Sequence, residues 1–190
     1  MHKYSTDELV AQKPTEADFR KLKRNPLVFI LHNIRSLENV GLFFRLADAL
    51  LVKKIYLTGY TGYPKLENDA RDPRISTHAE KEINKTAIKL VPLVPWKKSE
   101  DITAVFSELR TTNYQLIGVE QTDQSIDYRK AGYEFPVALV FGHERTGVEE
   151  ELLEKCDFVV HLPMLGMGNS HNVAMSGSII GSYLINTLST

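Results

Sequence analysis

The sequence predicts a single α/β domain built on a mostly parallel sheet with helices on both faces. Short continuous apolar runs, typical of strands buried on both faces, alternate with segments that are apolar on a helical period. This alternation is the pattern of β-α-β units, and 190 residues are enough for one domain with a full core. The more polar residues 1–25 are predicted to form a helical extension, so that residues 26–190 make the folded domain.

Each predicted strand is a run of about five aliphatic, β-branched or aromatic residues bounded by turn-forming residues. Gly59 ends the second of them, and Pro163 follows the last. The predicted strands are residues 27–31, 54–58, 90–94, 114–119, 137–141 and 158–162. Each predicted helix repeats its apolar residues three or four positions apart, and a loop rich in glycine, proline, aspartate and arginine covers residues 59–74. The predicted helices are residues 40–51, 79–88, 102–110, 149–155 and 172–188.

Composition excludes several classes of protein. No apolar run is long enough to cross a bilayer and no signal-peptide pattern opens the chain, so we expect a cytoplasmic protein without a membrane partner. The single cysteine, Cys156, excludes an internal disulfide and a cysteine-based metal site. A net charge of -1 argues against coating nucleic acid by charge alone, although it allows a local basic patch.

Three polar loops follow predicted strands, where ligands bind in open α/β sheets: residues 33–39, 142–147 and 163–170. The second has the glycine spacing of a phosphate-binding loop, but it continues Val148-Glu149 instead of lysine and a hydroxyl residue, which excludes a nucleoside triphosphatase. A dinucleotide fingerprint is also missing. An ordinary tight turn with solvated Glu144 and Arg145 remains an alternative interpretation of this loop.

In the helix after the first loop, Arg45 lies within a stripe of leucine, phenylalanine and alanine. It either pairs with Asp48 on a half-exposed face or points into a cleft to meet a phosphate. Asn39 is a candidate cap of the same helix. The third loop, rich in glycine, enters an Ala/Gly/Ser-rich helix that Ser170 or Asn172 is expected to cap.

Other polar groups give weaker signals. The histidines at 143, 161 and 171 do not have the spacing of a metal site, and no serine lies in a nucleophile elbow, so we expect no metal. Among the basic clusters, the one on the N-terminal extension is the best candidate for phosphate contact. Its members are Arg20, Lys21, Lys23 and Arg24.

Taken together, the three segments resemble the motifs of the SpoU/TrmH family of RNA ribose 2′-O-methyltransferases, in the SPOUT superfamily. The first motif is matched by Asn39-Val40-Gly41 with Arg45, and the second by residues 139–147. The third is matched by Leu162-Pro163-Met164, Gly166, Ser170 and Asn172-Val173. The order and spacing agree as well, and the resemblance covers residues 27–188.

This resemblance implies a deep C-terminal trefoil knot, S-adenosylmethionine bound in the knot loops, and a homodimer whose active site borrows across the interface. The implied catalytic positions are Arg45, Asn39, Glu144, Ser170 and Asn172. The implied cofactor positions, contacted largely through backbone groups, are Val119, Glu120, Gln121, Gly142, Leu162, Met164, Gly166, His171, Asn172 and Ala174. Two residues depart from the pattern: His143 replaces the usual asparagine, and His171 replaces the usual leucine. The polar positions of each motif are intact, so an active enzyme is expected.

The expected reaction methylates a ribose 2′-hydroxyl in structured RNA, with tRNA favoured over ribosomal RNA. Arginine stays protonated in proteins, so Arg45 is expected to grip a phosphate and stabilise the developing alkoxide rather than act as a base. The alternatives are a ribosomal RNA methyltransferase, a knotted module that binds cofactor or RNA without turnover, and an unrelated α/β enzyme acting on small metabolites.

Overall fold

The fold is a seven-stranded sheet in which every strand pair is parallel, as seen in a computed structural model that describes residues 1–188. The strands are β1 Asn25–His32, β2 Val52–Thr58, β3 Trp96–Ser99, β4 Gln115–Val119, β5 Ile126–Asp127, β6 Val137–Phe141 and β7 Phe158–His161. Their order across the sheet is β3-β2-β1-β6-β4-β7-β5. The predicted parallel α/β architecture is therefore confirmed, while the trefoil knot stays a prediction.

Helices cover both faces of the sheet. The helices of the described chain are α1 Thr6–Ala11, α2 Glu16–Phe19, α3 Leu37–Ala49, α4 Pro73–Ala87, α5 Ile102–Thr111, α6 Glu150–Leu153 and α7 Val173–Leu188. Of these, α3 to α7 pack on the sheet, whereas α1 and α2 have no buried residue. Alternate residues of β1, β2, β4 and β6 enter opposite cores, because side chains point to opposite faces of a sheet. On β1, Phe29 packs with α3, α4 and α7, whereas Ile30 packs with α5 and α6. Because the central strands are buried on both faces, their sequences are uninterrupted apolar runs.

One predicted strand was wrong. Residues 90–94 contain a 3-10 turn at Val91–Leu93, and the strand follows it at Trp96–Ser99. Pro92 lies in that turn and cannot donate a ladder hydrogen bond. Pro95 accepts one from Ile55 through its carbonyl, and pairing with β2 begins only at Trp96. The apolar signal of Val91 and Val94 reflects burial under the helices rather than strand pairing.

Helix starts also differ from prediction, because caps rather than apolar residues set them. The predicted helix at 79–88 begins at Pro73, since Asp72 accepts a hydrogen bond from the Arg74 amide and Pro73 occupies the first turn. Ser36, not Asn39, caps α3. At α7 the Asn172 carboxamide oxygen accepts hydrogen bonds from the amides of Ala174 and Met175, so Asn172 rather than Ser170 is the cap.

Candidate active site

An open cleft of about 440 Å³ lies at the carboxyl ends of β6, β4 and β7, three neighbours in the sheet. Its walls come from the end of β4, from the loop after β6 and from the segment between β7 and α7. The predicted cofactor and catalytic residues that line it are Val119, Glu120, Gln121, Gly142, Glu144, Leu162, Ser170, His171 and Asn172. Segments that are far apart in the chain thus meet at one edge of the sheet, as the parallel topology requires.

The loop after β6 is folded tightly onto itself. His143 and Gly147 exchange two backbone hydrogen bonds of 3.0 and 2.8 Å, and Gly147 has a φ of +72°, which favours glycine. A Cβ on Gly142 would lie 2.3 Å from the Gly147 carbonyl. Glu120 supports this loop from β4, because its carboxylate accepts a hydrogen bond from the Val148 amide at 3.0 Å. Close backbone packing therefore requires Gly142, and the positive φ favours glycine at 147.

The segment after β7 presents free backbone groups to the cleft. Within residues 162–171, the Asn169 carbonyl is the one backbone group with a hydrogen-bond partner in the described chain, accepting from Gln121 Nε2 at 2.8 Å. Leu162 is nevertheless buried. Residues 165–170 are exposed, so their backbone groups can bond water, whereas Leu162, Ser170 and His171 line the cleft with backbone groups that are available to hydrogen-bond a ligand.

A chain of hydrogen bonds joins the three motif segments beside the cleft. The Glu144 carboxylate accepts from the amides of Arg35 and Ser36 and from the side chain of Asn39, each at 2.9 Å. Asn39 Oδ1 in turn accepts from Asn172 Nδ2 at 3.0 Å. Burial opposes ionisation of Glu144, but these donors outweigh it and hold the pKa of the carboxyl below its ordinary value. The network fixes the first two loops against the entrance of α7.

We expect Glu144→Gln to lower the free energy of unfolding at pH 7 by about 1–3 kcal/mol, because a carboxamide loses acceptor capacity for these donors. The pKa of Glu144 is depressed in the folded protein, so its contribution is present above the unfolded pKa of about 4.3 and is lost as pH falls through the folded pKa. The difference between wild type and variant should therefore narrow from pH 5 to pH 3 in urea titrations. Glu67→Gln, which removes an exposed carboxylate, is the control. A difference that stays constant with pH would contradict this role.

The catalytic positions implied by the resemblance separate into two groups. Glu144, Ser170 and Asn172 line the cleft, while Asn39 is buried and reaches it through Asn172. Arg45 lies six residues beyond Asn39 on α3, about 9 Å along the helix axis. Its side chain is exposed, lies outside the cleft lining, and makes no ion pair or hydrogen bond with any residue in 1–188. The alternative pairing of Arg45 with Asp48 is therefore absent.

Three predicted cofactor residues lie off the cleft lining. Met164 is half-buried, Gly166 is exposed with open space around it, and Ala174 is buried in the first turn of α7, where its amide is bonded to Asn172. Residues that were not predicted as site residues also line the cleft, among them Phe141, His161, Thr146 and Ser176. Phe141 and Thr146 lie within the second motif, so the motif could have identified them as site residues.

His143 has a defined ring orientation in the second loop. Its Nδ1 accepts hydrogen bonds from the amides of Arg145 and Thr146, at 3.0 and 3.2 Å, which leaves the proton of the neutral ring on Nε2. Arg145 is exposed at the same rim. The replacement of asparagine by His143 is thus accommodated as an acceptor for two loop amides.

The basic cluster on the N-terminal extension lies at the opposite edge of the sheet. Arg24 donates to the carbonyls of Val52, the first residue of β2, and Leu93, which precedes β3, so both contacts lie at the amino ends of the strands. Arg20 donates to Glu16 and to the Pro92 carbonyl, and Lys21 pairs with Asp18. Two of the four predicted RNA contacts therefore tie the extension to the domain, away from the cleft.

Within residues 1–188, no helix has the length and apolar character needed to span a bilayer. The same part of the chain holds no group of three histidine, cysteine or carboxylate side chains arranged to bind a metal ion.

Comparison with known proteins gives consistent results. A model of the SpoU rRNA Methylase family matches residues 26–182. A Staphylococcus haemolyticus protein assigned to the TrmH family of tRNA/rRNA methyltransferases is 28% identical over 153 residues, 80% of this chain and 55% of that protein. The tRNA (guanosine(18)-2′-O)-methyltransferase of Thermus thermophilus is 28% identical over 172 residues, 87% of this chain and 80% of the enzyme. The chain thus spans about half the length of the first relative and most of the second.

The fold is also shared with a solved structure. The SpoU methyltransferase AviRb of Streptomyces viridochromogenes, in complex with AdoMet, superposes with a TM-score of 0.70 at 20% identity, covering 91% of this chain and 65% of that one. The likeness extends over nearly the whole sheet and its helices.

Proposed function

Because the chain belongs to the SpoU rRNA methylase family, we propose that it transfers a methyl group from S-adenosylmethionine to a ribose 2′-hydroxyl of RNA, with tRNA as the substrate. The observation that carries this proposal is the network from Glu144 through Asn39 to Asn172, which joins the three motif segments at one cleft. The Thermus relative, a tRNA 2′-O-methyltransferase that this chain covers to 80%, supports the choice of tRNA.

The cleft fits S-adenosylmethionine in size and chemistry. Its volume lies within the range of small-molecule sites, about 300–1,000 Å³. Val119 and Leu162 offer apolar surface to an adenine ring, and the unpaired backbone groups of Leu162, Ser170 and His171 can bond its polar edge. We assign binding to Val119, Glu120, Gln121, Gly142, Leu162 and His171, with Met164, Gly166 and Ala174 shaping the loop and helix behind them.

When bound, the cofactor supplies a methyl group already activated on a sulfonium, so the reaction does not require a metal. The protein must then orient the ribose hydroxyl in line with the methyl group and manage its proton. Ser170 and Asn172, both on the cleft, are assigned to position the ribose. Arg45 grips the adjacent phosphate through its planar fork and stabilises the developing alkoxide. That phosphate would accept the proton that the hydroxyl loses.

A second copy of the chain would place Arg45 at a cleft. In one chain Arg45 is exposed on α3 and lies outside the cleft. The helices α3 and α7 pack together. Apolar side chains are exposed on the same two helices: Leu42 on α3, and Met175 and Ile179 on α7. An exposed apolar surface of this kind is typical of an interface. We therefore assign a homodimer in which Arg45 of one subunit serves the cleft of the other.

The remaining assignments concern the whole protein. Residues 26–190 make the methyltransferase domain, and residues 1–25 are an extension in which Lys21, Lys23 and the exposed parts of Arg20 and Arg24 contribute weakly to RNA binding. The protein acts in the cytoplasm.

We expect calorimetry to show binding of S-adenosylmethionine and a tritium assay to show methyl transfer to unfractionated tRNA. Alkaline hydrolysis of the product should leave a protected dinucleotide, since a 2′-O-methyl group blocks cleavage at that position. Methyl transfer to ribosomal RNA but not to tRNA would show that ribosomal RNA is the substrate. Cofactor binding without transfer to any RNA pool would identify a binding module instead of an enzyme, and absence of RNA binding would favour an enzyme of small metabolites.

A further inference from the structure

A second cleft, of about 320 Å³, lies at the carboxyl ends of β2 and β3, on the same edge of the sheet as the cofactor cleft. Its lining is mainly apolar and aromatic, including Leu37, Tyr60, Tyr63 and Ile75. Tyr60 and Ile75 are 63% and 59% exposed, although large apolar side chains are normally buried. The function proposed above assigns no role to this cleft.

The turn that carries Tyr60 is held rigidly. Asn33 Oδ1 accepts a hydrogen bond from the Tyr60 amide at 3.1 Å, while Asn33 Nδ2 donates to Glu149 Oε1 at 2.8 Å. The Gly59 carbonyl accepts from Lys98 Nζ. On the other side, buried Thr61 Oγ1 donates to the Leu31 carbonyl at 2.9 Å. The backbone is therefore fixed on both sides of a side chain whose hydroxyl has no partner among residues 1–188, so the ring is presented to solvent at little entropic cost.

Tyr60 connects the two clefts. Its ring meets the ring of His143 edge-on, with centroids 6.1 Å apart and an interplanar angle of 71°. His143 lines the cofactor cleft, whereas Tyr60 lines the second cleft. A ligand stacked on Tyr60 would therefore lie directly beside the proposed methylation site.

The side chains that line the second cleft together with Tyr60 suit a flat, weakly polar ring. Arg71 stacks on the Tyr63 ring, with its guanidinium carbon 3.5 Å from the centroid, and Lys98 lies 5.6 Å from the same ring. Asp69 already pairs with Arg71, and Glu100 with Lys98, so neither cation is free to bind a phosphate alone. Aromatic rings with stacked cations in a mainly apolar groove are the features that hold unstacked bases of single-stranded nucleic acid.

We infer that this second cleft, with Tyr60 as its stacking platform, binds a nucleobase of the RNA substrate next to the nucleotide that is methylated. The inference rests on the proposed RNA methyltransferase function and adds to it a specificity subsite. Its occupant is an RNA nucleotide with its base unstacked, because Tyr60 of this cleft contacts His143 of the cofactor cleft, so that the two clefts are neighbours.

The test compares Tyr60→Ala, Tyr60→Phe and Ile88→Ala by fluorescence anisotropy with labelled unfractionated tRNA at fixed salt. Ile88 is an exposed residue at the end of α4, where the chain returns to the amino edge of the sheet, so it is the matched control. Tyr60→Ala should weaken tRNA binding about 5- to 150-fold, the effect of losing one stacked base. Tyr60→Phe keeps the ring and should bind within about twofold of wild type. Cofactor affinity, measured by calorimetry, should stay unchanged in all three.

If Tyr60→Ala binds tRNA with the affinity of wild type, the proposed subsite is wrong, while the proposed function is unaffected. Equal weakening by Tyr60→Ala and Tyr60→Phe would also overturn it, because the hydroxyl and not the ring would then matter. If wild-type protein binds cofactor but no tRNA or ribosomal RNA, the proposed function fails and the subsite with it. Weaker tRNA binding by Tyr60→Ala, with cofactor affinity and thermal midpoint retained, supports the subsite.

Discussion

Replacing Arg45 with alanine should lower methyl transfer about 100- to 1,000-fold, the effect of removing one group that stabilises a developing oxyanion. The variant should fold normally, because the Arg45 side chain is exposed and forms no hydrogen bond or ion pair within residues 1–188. Its free energy of unfolding should stay within about 0.5 kcal/mol of wild type. Single-turnover transfer of a tritiated methyl group to tRNA, alongside cofactor calorimetry and urea unfolding, would separate these effects.

Arg45→Lys is the informative partner of this variant. Lysine keeps the positive charge but loses the planar pair of donors that matches a phosphate, so we expect it to remain at least about tenfold slower than wild type. Near-wild-type transfer by Arg45→Lys would show that charge alone suffices and would contradict the proposed grip on phosphate. A large fall in cofactor affinity in either variant would instead place Arg45 at the cofactor.

Much of the sheet was predictable from the sequence because its strands are buried on both faces. The run that forms β6 carries no polar residue, so its apolar signal is continuous and its position is unambiguous. Two-residue β5, by contrast, has no pattern long enough to detect, and its pairing with β7 is set by tertiary contacts. The early start of α4 was missed because a cap and a proline define it, not apolar spacing.

The candidate site was predictable in its members but not in its contacts. Glu144, Asn39 and Asn172 were selected separately as motif residues, yet Glu144 and Asn39 are 105 positions apart and Asn39 and Asn172 are 133 apart. No local pattern predicts that they bond to one another. The basic cluster shows the converse problem, because a run of charge does not reveal that Arg24 is already bonded to backbone carbonyls at the far edge of the sheet.

Gly142→Ala should abolish measurable cofactor binding, although the change adds only one methyl group. Its Cβ would lie 2.3 Å from the Gly147 carbonyl and 2.4 Å from the Val148 nitrogen. These are backbone atoms, so no side-chain rotation can relieve the clash and the loop must move. We expect the free energy of unfolding to fall by about 1–3 kcal/mol, the range for overpacking. Gly132→Ala, whose Cβ would meet nothing within 4 Å, is the control and should match wild type in both measurements.

Gly142→Ala and Arg45→Ala together test the dimer. If Arg45 serves the cleft of the other subunit, a mixed dimer of the two variants contains one complete site, formed by the intact cleft of the Arg45→Ala subunit and the arginine of the Gly142→Ala subunit. Co-expression with two different tags and sequential purification would isolate that mixed dimer, and it should recover a large part of the transfer that each homodimer lacks. If Arg45 serves its own cleft, both sites of the mixed dimer are defective. A mixed dimer as inactive as its parents, with both subunits folded, would therefore reject the shared site while leaving the cofactor cleft of each chain in place.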